Sequence, residues 1–185
     1  MELIFISYVV YYILALVGIT IGYHRYFAHG QFKTNKIIEF IFLYVGLLCG
    51  ARSALSWASL HRMHHYYSDT PKDPYYPKQF KWYITLFSLY KHKNIPIKFC
   101  RDLYKNKLLV HFHKWGYVYL FLTYGLALFI DYKLLLVLLL VFLFSYIGFG
   151  LFNLLTHNKD GPVNNTLINV FAPFEGNHKK HHDYF

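Results

Sequence analysis

Apolar residues fall in four long stretches, with polar and aromatic segments between them. The first, Leu3 to Tyr23, carries no charge. As a helix it is long enough to cross about 30 Å of hydrocarbon. The second, Ile37 to Trp57, is interrupted by Gly50 and Arg52. The third runs from about Trp115 to Ile130, and the fourth, Leu134 to Leu155, is the most apolar. Only the tripeptide at 131–133 separates these last two, which predicts a helical hairpin with a minimal turn. Between 66 and 111, "SDTPKDPYYP" is a Pro- and Asp-rich loop and "FKWYITLFSLY" an interfacial stretch. From Pro96, the spacing of Ile97, Cys100, Leu103, Tyr104 and Leu108, with lysines between, predicts an amphipathic helix on a membrane surface. The expected architecture is an all-α integral membrane protein in a single domain, 1–185. Its crossings lie at about 3–23, 115–130 and 134–155, and its cytoplasmic or interfacial parts at 24–114 and 156–185.

Composition and charge sharpen this picture. The chain is 56% hydrophobic, above the roughly 45–50% of soluble domains. The formal net charge is +10, and of nineteen Lys and Arg only Lys133 lies in the short turn. Most of the rest lie in 25–36, 62–114 and 159–180, which the positive-inside rule assigns to the cytoplasm. Membrane sidedness thus accounts for the basic balance, and nucleic-acid binding is disfavoured. With both flanks cytoplasmic, the second run is expected to lie along or dip into that side of the membrane, with Arg52 in polar surroundings. A full crossing is the alternative. Cys49 and Cys100 stand alone and define neither a disulfide framework nor a C-x-x-C site. The N-terminus lacks a basic n-region and an A-x-A-like cleavage site, so the first run is expected to stay in the chain.

Twelve histidines split into two sets. His92, His111 and His113 are scattered through the surface segment and are expected to be solvated or interfacial. The other nine are grouped. His24 and His29 form H-x-x-x-x-H; His61, His64 and His65 form H-x-x-H-H; His178, His181 and His182 repeat that pattern; and His157 follows Asn153 by four. Residues at i, i+3 and i+4 share a helix face, so each H-x-x-H-H can converge on one centre, and Asn153 lies one turn from His157. The i, i+5 pair suits a helix that ends between its two histidines. Nine imidazoles exceed the four ligands usual for one zinc and suit two metals with four or five ligands each. Imidazole accepts iron, copper, nickel or zinc. After Glu2 the only glutamates are Glu39 and Glu175, which disfavours a carboxylate-bridged centre.

These boxes carry a resemblance. "GITIGYHRYFAHGQFKT", "HRMHHYYSDTPKDPYYP", "EGNHKKHH" and "NLLTH" together resemble the membrane fatty-acid desaturases, specifically the acyl-CoA Δ9 (stearoyl-CoA) branch, from about Leu14 onward. The resemblance implies that His24, His29, His61, His64, His65, His157, His178, His181 and His182 hold two Fe2+ ions, with Asn153 reaching one through a water. No catalytic residue is implied beyond these ligands. It also implies that O2 and two electrons serve to remove two hydrogens from adjacent methylenes, giving a cis double bond and two waters. The substrate would be a long-chain acyl-CoA or acyl lipid in a tunnel between the helices, with its head at the basic face. Arg62, Lys72 and Lys81 are candidate phosphate neighbours, or simply part of a solvated basic face. Asp69 and Asp73 could orient ligand histidines or cap their loop. Family members usually have a further helix before the first crossing and continue past the third box, so three crossings are expected here, and oligomer contacts could replace the missing helix. Asn177, Lys179 and Lys180 depart from the usual neighbours of the third box. The chain shows neither H-P-G-G nor G-x-G-x-x-G, so a separate donor of cytochrome b5 or ferredoxin/rubredoxin type is expected. The membrane would be endoplasmic reticulum or bacterial inner membrane.

Two rivals remain at this level: a histidine-box hydroxylase, and a non-enzymatic metal-binding or transporting membrane protein. The near absence of ligands within the crossings disfavours transport. The lack of H-E-x-x-H disfavours a membrane zinc protease.

Overall fold

The computed structural model describes residues 1–75, 80–89, 94–158 and 161–184. The chain opens with one helix of 27 residues, Glu2–Ala28. Its first half, α1 (Glu2–Leu14), has ordinary α winding, and its second half, Ala15–Ala28, is a π-helix. Gly30 ends it in the left-handed region (φ 62°), with its N–H donating to Tyr26 O at 3.1 Å.

The second apolar run is not one helix. It forms α2 (Lys36–Leu48) and α3 (Ala54–Tyr67), broken where Gly50 (φ 71°) and Arg52 (φ 60°) adopt left-handed backbone. Asn35 and Ser53 cap the two helices through Ile38 N and Ser56 N. At 1.5 Å per residue α2 spans about 20 Å, too short to cross a bilayer. It packs against the π segment, where a Cβ on Gly18 would lie 2.5 Å from Gly46 N. Buried Glu39 joins three elements: Tyr26 Oη donates to it at 2.5 Å, Lys36 Nζ at 2.6 Å and Asn106 Nδ2 at 3.2 Å.

α4 (Trp82–Leu86) is short and packs on α6. The amphipathic helix expected from Pro96 is absent. Two 3-10 turns, Ile97–Phe99 and Leu103–Lys105, take its place, and the buried residues are Phe99, Cys100 and Leu103. Asn106 then accepts from Leu108 N and Leu109 N and caps α5 (Lys107–Ile130), which therefore starts earlier than its apolar pattern implies. Asp131 caps α6 (Tyr132–Leu155) through Lys133 N, and α5 and α6 pack as the predicted hairpin. An antiparallel pair, β1 (His157–Asn158) and β2 (Gly161–Pro162), departs from the all-α expectation. A 3-10 turn, Thr166–Val170, and α7 (His178–Tyr184) complete the chain.

The main core joins the π segment, α2, α3 and α5 through Tyr23, Phe42, Leu43, Leu55, Leu109 and Phe112. A second cluster, Tyr11, Ala15, Cys49 and Val141, seats the tip of the α2–α3 excursion between α1 and α6. Among the described residues two helices are long and apolar enough to cross a membrane, Glu2–Ala28 and Tyr132–Leu155. α5 is as long but less apolar, since His111, His113 and Lys114 occupy its first turns. Phe5, Phe121, Leu122, Phe129 and Leu143 stand exposed on the outer faces of α1, α5 and α6. Water does not tolerate so much contiguous apolar surface, and lipid does.

Candidate metal centre

The π winding explains the first histidine pair. In an i→i+5 helix, residues five apart stack on one face. His29 N donates to His24 O at 3.0 Å, and the two rings lie 4.9 Å apart. The helix does end between them, at Ala28, but its winding is what makes the two rings converge. Arg62 secures that end: Nε and Nη2 donate to Ala28 O and Phe27 O at 2.8 and 2.9 Å, and Nη1 pairs with Asp102 at 2.7 Å. Arg62 is therefore a structural clamp with its donors engaged, and not a free phosphate ligand.

The nine grouped histidines come together as two sets whose ring nitrogens lie within 4.8 Å of one another. One set is His24, His29, His61, His65 and His181; the other is His64, His157, His178 and His182. Each H-x-x-H-H box divides between the two sets instead of serving one. On α3 the i, i+4 pair His61/His65 faces the first set, and His64 turns to the second. On α7 the i, i+4 pair His178/His182 faces the second, and His181 turns to the first. His65 and His182 stack across the divide at 4.2 Å. Asn153 is buried near the end of α6, and His157 lies past that end on β1, so the two are not one turn apart on a helix.

The inward atoms are consistently Nε2. His24–His181 and His157–His178 approach at 2.9 Å, and His29–His61 and His65–His181 at 3.0 Å. Two nitrogens each about 2.1 Å from one ion and at right angles would be about 3.0 Å apart, so the spacing fits shared metals. His182 Nε2 is buried and has no hydrogen-bond partner among the described residues, as a ligand atom awaiting an ion would be. Among the described residues His65 and His178 have no hydrogen-bond partner at Nδ1.

Three carboxylates set the tautomers. His24 Nδ1 donates to Glu175 at 2.8 Å, His64 Nδ1 to Asp73 at 2.8 Å, and His157 Nδ1 to Asp69 at 3.2 Å. A neutral ring that donates through Nδ1 presents its lone pair at Nε2. Asp73 also accepts from Asp69 N and Tyr75 N at 3.0 and 2.8 Å, so it both orients a histidine and caps its loop. The role of Glu175 was not legible from spacing, since it lies 151 residues from His24.

Burial favours the neutral form of six of these rings, His29, His61, His65, His178, His181 and His182, and neighbouring imidazoles reinforce it. His29 is held down to about 3, His181 to about 4 and His182 to about 2; His61, His65 and His178 are also shifted down. Burial alone raises the Glu175 carboxyl, but His24 and His181 outweigh it and the net shift is downward. His157 does the same for Asp69. Metal binding requires neutral imidazole, and this environment supplies it.

The scattered histidines stay apart. His111 Nε2 contacts Tyr119 Oη at 2.6 Å, and His113 Nδ1 contacts Ser53 Oγ at 2.6 Å, both in exposed settings. His92 lies outside the described residues.

An apolar cavity adjoins both sets, lined by His24, His61, His64 and His178 and by Ile19, Phe149 and Phe152 among the others. Trp57 lines it too and stacks on His61 at 4.8 Å. Thr20 Oγ1 donates to Pro173 O at 3.0 Å, and Tyr11 Oη donates to Phe171 O. These bonds fasten the segment before α7 over the cavity.

Long apolar helices and two buried imidazole sets beside an apolar cavity define a helical, membrane-associated class of protein with a metal-binding design. A family model described as fatty acid desaturase matches residues 3–184, and the chain belongs to that family. It is 41% identical over 73 residues to Delta-9 acyl-lipid desaturase 1 of Arabidopsis thaliana, covering 40% of this chain and 24% of that protein. It is 37% identical over 90 residues to an acyl-CoA C20 Delta5-desaturase of Anemone leveillei, covering 49% of this chain and 29% of that one. It is 32% identical over 105 residues to an sn-1 stearoyl-lipid 9-desaturase of Synechocystis, covering 55% of this chain and 33% of that one. The chain thus matches about a quarter to a third of the length of these relatives.

Proposed function

We propose that this protein is a di-iron, O2-dependent acyl desaturase that places a cis double bond, at Δ9, in a saturated chain. The observation that carries this is the opening of both imidazole sets onto one apolar cavity. His24, His29, His61, His65 and His181 would hold one iron. His64, His157, His178 and His182 would hold the other, with Asn153 contributing through a water. With dioxygen and two electrons, the bound iron pair supplies the oxidising power for C–H cleavage. The chain's own residues do the rest. Glu175, Asp73 and Asp69 hold the rings in the ligating tautomer. The walls around Ile19, Trp57, Phe149 and Phe152 exclude water and fix an alkyl chain in register. The bonds from Thr20 and Tyr11 keep the cavity closed.

In this reading α1 with its π extension, α5 and α6 cross the membrane, and the histidines face the cytoplasm. A separate electron donor reaches them from the basic side. Relatives carry names with both acyl-lipid and acyl-CoA substrates, and this chain is read as acting on a long-chain acyl group of that kind.

Expression in a desaturase-deficient host with a suitable electron donor, followed by gas chromatography and mass spectrometry of the lipids, tests the reading. A new mono-unsaturated acid that disappears in His64→Ala is expected. A hydroxy acid in the same trace would replace desaturation by hydroxylation. Membrane-inserted, iron-loaded protein giving neither product would sink the proposal.

A further inference from the structure

The two histidine sets differ in what covers them. In the first, His29, His65 and His181 are only partly buried, and His24 and His61 are 6% and 8% exposed. In the second, His64, His157 and His178 are 2%, 6% and 2% exposed, and His182 keeps its Nε2 buried. Tyr75 packs on the His64 ring at 5.5 Å, and Phe152 packs on the His178 ring at 4.8 Å. Asp69 and Ser68 meet the Nδ1 atoms of His157 and His182 at 3.2 and 3.3 Å.

A polar surface cleft reaches the first set. Its lining includes His24, Glu175 and His181, together with Arg25, Asn177 and Lys180. No histidine of the second set lines it, whereas His64 and His178 line the apolar cavity. Asn177 and Lys180 are exposed and Arg25 is partly so, which gives the cleft a hydrophilic mouth. Among the described residues the one acid in its lining is Glu175, whose carboxylate is engaged by His24 Nδ1 at 2.8 Å. Arg25 and Lys180 therefore give the cleft a net positive sign. A divalent ion held by His24 and His181 would add to that sign.

We propose that this cleft is a hydrophilic port through which small water-soluble anions reach the metal of the first set, and that the second set has no polar route of this kind. The inference rests on reading the nine histidines as metal ligands. Arg25 and Lys180 guide anions to the port and do not ligate the metal. The two metals are then unequal. The first exchanges with solution and meets anionic reductants or chelators. The second is screened by Tyr75, Phe152 and the Asp69 and Ser68 contacts.

The full chain in neutral detergent is loaded with Fe2+ without oxygen and mixed with ferrozine, a sulfonated anionic chelator that colours as it takes up iron. Release is expected in two phases of about equal size, the first set emptying first. Diethyl pyrocarbonate added after the fast phase is expected to acylate His29, His65 or His181 and to spare His157 and His178, read by peptide mass spectrometry. Arg25→Gln combined with Lys180→Gln is expected to slow the fast phase about tenfold. The same variant should release iron to bipyridine, an uncharged chelator, at the native rate, which shows that its fold is intact. Added salt should slow the native fast phase with ferrozine. Loss of all the iron in one phase, or acylation of the second set first, overturns the port. A fast phase that is equal in the native and doubly substituted chains overturns the role of Arg25 and Lys180. Protein that takes up no iron overturns the metal reading before any chelator is added, and this proposal with it. No step requires turnover, so the test stands apart from that of the reaction.

Discussion

Glu175, Asp69 and Asp73 each spend a carboxylate on a histidine Nδ1. Replacing such a partner typically costs about 10–100-fold in metal affinity or activity. Glu175→Gln is therefore expected to lower iron retention and turnover by that order while the protein still folds, read by metal analysis and product yield on the same sample. His181→Ala should abolish activity and deplete iron. His111→Ala should leave both nearly unchanged, because His111 pairs with Tyr119 away from both sets. Equal losses in His181→Ala and His111→Ala would mean that fragile folding, not ligation, had been measured. The nine grouped histidines were visible as motifs because i, i+3 and i+4 spacing is local. Their division between two sets was not, because adjacent positions on one helix point to different sides and only the partner helices decide which side each meets. Glu175 escaped notice for the same reason: its partner is distant in the chain.

At the scale of elements, a close approach between the π segment and α2 positions His24. Gly18 and Gly46 permit it, since a Cβ on Gly18 would lie 2.5 Å from backbone, and one on Gly46 would lie 2.3 Å from the buried Tyr23 ring. Gly18→Ala is expected to cost about 1–3 kcal/mol through overpacking. It should appear as a lower melting midpoint in detergent and a smaller fraction of iron-loaded protein. An unchanged midpoint would refute the packing account. The four apolar runs and the α5–α6 hairpin were legible, because uninterrupted apolarity has few other uses. The π winding was not, since its i→i+5 bonds answer to packing against α2 and α3 more than to local propensity. The amphipathic helix after Pro96 failed because its apolar residues do not share one face: Cys100 and Leu103 turn inward with Phe99, Ile97 and Tyr104 stay exposed, and Asn106 starts a new helix instead.

For the whole molecule, the proposed topology puts the 131–133 turn and the 97–106 segment on opposite sides of the membrane. Lys133→Cys and Lys105→Cys are expected to react with a membrane-impermeant maleimide from opposite faces of sealed vesicles. The native Cys49 and Cys100 are 2% and 5% exposed, so their background is low. Labelling of both sites from one face would remove α5 as a crossing. The sequence by itself determined that the chain is strongly apolar, that its first, third and fourth apolar runs are helical, where the basic residues gather, and that nine histidines form metal-type motifs. All of these depend on residue type and short spacing. Tertiary structure alone decided which histidines face which set, which carboxylates orient them, and how Arg62 is consumed as a clamp. It also decided that Arg52, at the break between α2 and α3, lines a cavity with Trp57 and Phe149. Those are relations between residues tens to more than a hundred positions apart. Burial and close packing of the helices bring such residues together, and no local pattern in the chain records it.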